Sequence, residues 1–141
     1  MRYAYPVTLT PEPGGGFSVS FPDVPEALTQ GEDEADALAM AEDALVSGLS
    51  FYVDREAPLP VPSEAAGRPV VAVPVLEATK LALHEAMLAA RISTVELARR
   101  MGIDEKNARR VRDILHRSRV DQVELALRAL GRRVVVEVEA A

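Results

Sequence analysis

The sequence predicts an α+β fold: a β-β-β-α-β front module (residues 1–76), then a helical back module (residues 77–141) closed by a short strand. Three observations predict it. The opening segment alternates apolar and polar residues with period two. The spacing switches to three and four at Asp33. From Glu77 the pattern stays helical, with N-cap residues at Ser93 and Asp104.

Each element follows from its residues. Arg2 to Thr10 places Tyr3, Tyr5, Val7 and Leu9 on one face, which predicts a half-buried strand, with Pro6 favouring a sheet margin. Pro11 to Gly16 is a flexible turn, and Phe17 to Phe21 alternates again, completing a hairpin. Pro22 to Pro25 is a stiff turn, and Ala27 to Gln30 is a third short strand ended by Gly31. Asp33 then caps a helix to Tyr52 with Leu38, Ala41, Leu45 and Leu49 inward, its first turn crowded with acids that complement the helix dipole. The Pro-rich segment 54–69 is expected to run extended with little packing, and Val70 to Val75 to add a fourth strand.

Glu77 to Arg91 reads as a helix with Leu83 and Met87 inward and His84 on its flank. Ser93 opens the next helix, Gly102 ends it in left-handed backbone, and Asp104 opens another. Leu97, Ala98 and Met101 face inward from the first of these, and Ala108, Val111 and Leu115 from the second. A last helix, Asp121 to Leu130, turns Val123, Leu127 and Leu130 inward and stops at Gly131. Residues 132–139 alternate Val134, Val136 and Val138 as a strand; lacking a partner in a helical module, it points to a homodimer or higher homo-oligomer.

Charge divides the chain. Residues 1–76 carry 12 acids against three bases, residues 77–141 carry 10 acids against 13 bases, and the whole has a net charge of −6. Such a division points to two partners of opposite charge. Two solvated faces of one domain are the alternative. With no cysteine, a disulfide or a cysteine-based metal site is excluded. No apolar run spans a membrane and no leader opens the chain, so the expected location is cytoplasmic.

The stretch from Ile92 to Leu115 has the pattern of a helix-turn-helix with a basic recognition helix. Lys106, Asn107 and Arg110 are the candidates for base edges: Arg matches guanine bidentately and Asn matches adenine. Ser93, Arg99, Arg100, Arg109, Arg112, Arg117 and Ser118 are candidates for phosphate contacts with operator DNA. Glu105 could accept from cytosine or repel phosphate. A merely solvated charged face is the competing reading.

The front module, with Tyr5-Pro6-Val7, Gly14-Gly15-Gly16, the run Phe17 to Pro25, Thr29-Gln30-Gly31 and the helix bearing Ala35, Ala37 and Leu38, resembles the front domain of HicB antitoxins. The back module is similar to the helix-turn-helix that some HicB proteins carry. The resemblance implies a degenerate RNase H-like front fold and a HicA-type toxin, a small basic ribonuclease, as partner. It also implies repression of the shared operon. Phe21, Pro22, Asp23, Val24, Glu32 and Asp33 are the candidate toxin contacts.

Catalysis is not expected. RNase H-like chemistry needs carboxylates converging on metal ions, and the opening strand carries no acid. Glu32 to Asp36 read as capping and solubilising residues. Asp23, held between prolines, is either presented to a partner or engaged in an Asx turn. Neither His84 nor His116 has a carboxylate at ligand spacing, so no metal and no cofactor are expected. Two other functions stay open: a stand-alone regulator whose front module senses a small molecule, and an RNase H-type nuclease.

Overall fold

The computed structural model describes residues 2–141. It is a mixed α+β structure with five helices and two small antiparallel sheets among the described residues. The first expected strand is broken in two, β1 (Ala4–Pro6) and β2 (Thr8–Pro11). β2 pairs with β3 (Phe17–Ser20), and β3 with β4 (Leu28–Gly31). β5 (Val70–Ala72) pairs with β1. Pro6 lacks the N–H a ladder needs, so the break falls beside it. Val7 resumes pairing by donating to the Pro69 carbonyl at 2.9 Å.

Tyr5, Val7, Val19 and Phe21 point from the sheets into one core, where α1 (Glu34–Asp54) covers them with Ala37, Ala41, Leu45 and Leu49. The period-two and period-3.6 faces meet as their patterns require. β4 packs so close to α1 that a Cβ on Gly31 would stand 2.4 Å from Ala37 N and Cα. Asp33 caps α1, accepting from Asp36 N at 2.8 Å.

α2 (Val75–Ala90) begins two residues before the expected position. Pro74, without an N–H to contribute to a strand, ends the β segment and stands at the N-cap. α2 serves two cores. Leu81 joins the front cluster, whereas Leu83, Ala86 and Met87 join a back cluster with Leu97, Val111, Val123, Ala126 and Leu127. These last come from α3 (Thr94–Met101), α4 (Glu105–Arg112) and α5 (Val120–Ala129).

Several expectations fail for identifiable reasons. The Pro-rich segment packs: Leu59 is buried, Pro60 O accepts from Tyr5 Oη at 2.8 Å, and Ala57 O lies 2.7 Å from His84 Nε2. His84 is therefore buried and not on a flank, and its Nε2 carries the proton because a carbonyl can only accept. Leu115 is exposed and Ile114 takes the inward place, because α4 stops at Arg112 and its periodicity with it. Within one chain the tail pairs with no strand among the described residues; Val134 packs partly on the back cluster and Arg2 bridges to Glu137 and Glu139 at 3.3 and 3.0 Å.

Placing a methyl at the Gly31 contact should force β4 off α1. Gly31→Ala is expected to destabilise the fold by about 2 kcal/mol, read as a lower urea midpoint; an unchanged midpoint would contradict this packing.

Candidate functional site

α3 and α4 are short helices made rigid by their ends. Ser93 Oγ accepts from Glu96 N at 3.1 Å, and Asp104 Oδ1 accepts from Asn107 N at 2.7 Å. Between them Gly102 sits at φ +69, a conformation that costs an L side chain strain. Leu97 and Ala98 face Ala108 and Val111 inside, all buried. The small alanines allow close approach of the two helices.

With 100° per residue, Lys106, Arg110 and Asn107 fall within about 100° of one another on α4, with Asn107 at the edge nearest the inward sector of Val111 and Ala108. All three are exposed. Among the described residues Lys106, Arg110 and Arg117 form no ion pair. An open groove between α4 and α5 is edged by Asn107, Arg110, Arg117, Arg119 and Arg128, and its lining contains no carboxylate.

The other arginines proposed for phosphate contacts, Arg99, Arg100, Arg109 and Arg112, are already engaged. Arg109 donates to Glu105 Oε1 at 2.8 Å, so Glu105 acts first as an i,i+4 partner. Arg99 and Arg100 both bond Glu96, at 2.5 and 3.0 Å, and these guanidiniums hold its carboxyl down at about 2. Arg112 is turned inward: its Nη1 donates to Thr94 Oγ1 and lies 3.9 Å from Glu56 Oε1. Its side chain is only 16% exposed, which suits it to holding α4 against α3 better than to meeting a phosphate. Ser93 Oγ accepts the capping bond from Glu96 N and keeps its hydroxyl proton to donate.

Ser118 is likewise part of an internal network whose centre sequence reasoning missed. Lys80 of α2 is 1% exposed, and its Nζ lies 3.0 Å from Arg110 O, 2.8 Å from Asp113 O, 2.6 Å from His116 O and 2.8 Å from Ser118 Oγ. Desolvation pushes the ammonium's pKa down, opposed by Asp113 and Glu77. The cation meets the Arg110 carbonyl in the last turn of α4, where positive charge is favoured, together with the Asp113 and His116 carbonyls of the loop that follows. No signal local to Lys80 in the sequence announces this.

Of the candidate toxin contacts, Phe21 and Val24 are buried in the front core, because the inward register of β3 continues through Phe21. They cannot touch a partner. Pro22, Glu32 and Asp33 are exposed and Asp23 partly so. Asp23 Oδ2 accepts from both Ser63 N and Ser63 Oγ at 2.9 Å, tying the turn to the Pro-rich segment in place of an Asx turn. Glu12, Glu32 and Asp36 edge a shallow acidic cleft over the glycine turn. Among the described residues no cluster of three or more His, Asp or Glu side chains could hold a metal ion. No described helix is long and apolar enough to cross a membrane.

Comparison with known proteins adds the following. Residues 4–82 match the model of a HicB-like antitoxin of bacterial toxin–antitoxin systems. The chain is similar to Antitoxin HicB of Escherichia coli K12, 43% identical over 129 residues that cover 91% of this chain and 94% of that one. It is also similar to Antitoxin HicB 1 of Photorhabdus laumondii, 39% identical over 135 residues (96% and 86%), and to Antitoxin HicB of Pseudomonas fluorescens Pf0-1, 36% identical over 143 residues (100% and 97%). The similarity therefore continues through the back helices.

Two measurements check the site's electrostatics. The Glu96 carboxyl sits below its ordinary 4.5, so its pairing stabilises the fold above that value and the benefit is lost as pH falls towards about 2. Wild type and Glu96→Gln should therefore differ in urea midpoint at neutral pH and converge in acid, the gap narrowing with salt; a gap independent of pH would contradict the pairing. Lys80→Met keeps the stem and removes the charge, and is expected to cost about 2–3 kcal/mol in the same assay. A neutral result would mean that the ammonium does not hold the turn.

Proposed function

Because this chain belongs to the HicB antitoxin family of bacterial toxin–antitoxin systems, we propose that it neutralises a HicA-type ribonuclease toxin and represses its own operon. The front module, residues 1–76, covers the toxin. The back module, residues 77–141, reads the operator with α3, the turn and α4 acting as a helix-turn-helix. The protein works by binding, without catalysis and without a cofactor, in the cytoplasm.

The observation that carries the DNA-reading half is the exposed face of α4. Lys106, Asn107 and Arg110 share one sector of a doubly anchored helix, and Lys106 and Arg110 have no internal carboxylate to leave before meeting a base. Pre-organisation of this kind lowers the ordering cost of recognition. Arg117, on the loop beside the groove, is the freest phosphate contact. Arg99, Arg100 and Arg109 can reach phosphate only by sharing their carboxylate partners. One such motif reads a half-site, so two copies engage an operator about one helical turn apart.

For the toxin-facing half, the support is charge and placement. Twelve acids against three bases in residues 1–76 give a net of −9, which steers a basic partner at long range. Glu32 and Asp33, with Pro22 and Asp23, remain at the surface to meet it. The front core is closed by Tyr5 and Phe21, and the sheet with α1 forms a fixed platform for those acids.

Arg110→Ala tests the reading. Affinity for the chain's own promoter duplex should fall by about 1–3 kcal/mol with loss of sequence preference, while co-purification with the toxin is unchanged. Arg117→Ala should weaken binding to all duplexes alike and flatten the salt dependence. A wild-type chain that binds its promoter no better than random duplex would refute operator recognition. Failure to co-purify with the neighbouring toxin gene's product would refute neutralisation.

A further inference from the structure

We propose that the front module holds the operator-reading helix in position, with Ile114 as the plug that fixes the end of α4 to the front core. The inference rests on the reading of α4 as the DNA-contacting helix and adds what positions it. Ile114 stands two residues beyond α4 and is 3% exposed. It belongs to the front cluster of Tyr5, Val7, Leu59 and Leu81, and not to the back cluster in which Val111 of α4 sits. Between them Asp113 leaves the helix in extended backbone at ψ 110, so there is no slack between the last turn of α4 and the plug.

Two polar contacts hold the flanks of this junction. On one side Arg112 reaches Thr94 at the start of α3 and lies 3.9 Å from Glu56, just past the end of α1. On the other, Lys80 gathers the carbonyls of Arg110, Asp113 and His116 with the Ser118 hydroxyl. Arg110 thus offers its guanidinium to solvent while its own carbonyl is bound to α2. Any loosening of the front core releases Ile114, and with it the register of Arg110 and the Arg117 loop. Ile114 is a positioning residue, and the back helices alone, severed before Glu77, would expose it together with Leu81.

Amide exchange on the intact wild-type chain under increasing urea tests the coupling without DNA. The His116 and Ser118 N–H groups, bonded to Asp113 O at 3.0 Å and His116 O at 3.1 Å, are expected to open in the same cooperative step as β3 and β4. Opening with α5 instead, or before either, would overturn the proposal. In the second arm, Ile114→Ala should lower affinity for the chain's promoter duplex by about tenfold with helicity retained, and Ile114→Val by less than about threefold. Equal affinity for wild type and Ile114→Ala would overturn it as well. If the wild type ignores the duplex, operator reading fails, and the exchange arm still decides whether the front core holds the turn.

Discussion

The Lys80 ammonium lies at the junction of α2, α4 and the loop that follows, 1% exposed and within 3.0 Å of three carbonyls and a hydroxyl. Four acceptors meet three N–H donors, so at least one bond is shared. A charge withdrawn from water is tolerated only where such bonds replace its hydration. Of the carbonyls gathered here, Arg110 O lies in the last turn of α4, which leaves it without an intrahelical partner, while Asp113 O and His116 O belong to the loop, where each also accepts from a backbone N–H. Each of them is drawn towards one point, and the direction in which α4 presents its outer face follows from that convergence. A neutral side chain of the same length would fill the space without drawing the loop in.

The front module is built on a comparable economy of few long-range contacts. Its Pro-rich segment has little secondary structure, yet Leu59, Pro60 and Ser63 bind it to the core, to Tyr5 and to Asp23. Burial and nearby carboxylates push the Tyr5 phenol up to about 12, and burial with the hydrogen bond to Glu85 pushes Tyr3 up as well. Both phenols remain neutral donors across the physiological range, which suits a fixed structural role. His84 joins the same strap to α2 from the other side. The acids that give the module its charge stay mostly at its surface. Fold and charge are thus carried by separate residues, and the surface acids can be engaged without disturbing the core.

The family assignment and the geometry bear on different questions. Similarity over most of the chain places it among HicB antitoxins. The local physics of α4 distinguishes side chains free to meet a ligand from those already committed. Arg110 and Arg112 are alike in sequence and two positions apart, but one is exposed and the other 16% exposed against Thr94. A basic helix is therefore not uniformly a phosphate surface. Its helical phase decides which guanidinium is available.

Much of this was legible in the chain itself. Caps and left-handed glycines act within four residues, so Ser93, Gly102 and Asp104 marked α3 and α4 correctly. Alternation and 3.6 spacing are equally local, and they identified the hairpin, α1 and the solvent face of Lys106, Asn107 and Arg110. What tertiary structure alone decided were the contacts between distant residues. Nothing around Lys80 in the sequence marks it as buried, because the partners that surround it lie 30 to 38 positions away. The same holds for His84 beneath Ala57, for Asp23 beside Ser63, and for Ile114 displacing Leu115 from the core. Periodicity describes which way a side chain points from its own element. It carries no information about which other element arrives there, and burial and charge at this site depend on that arrival.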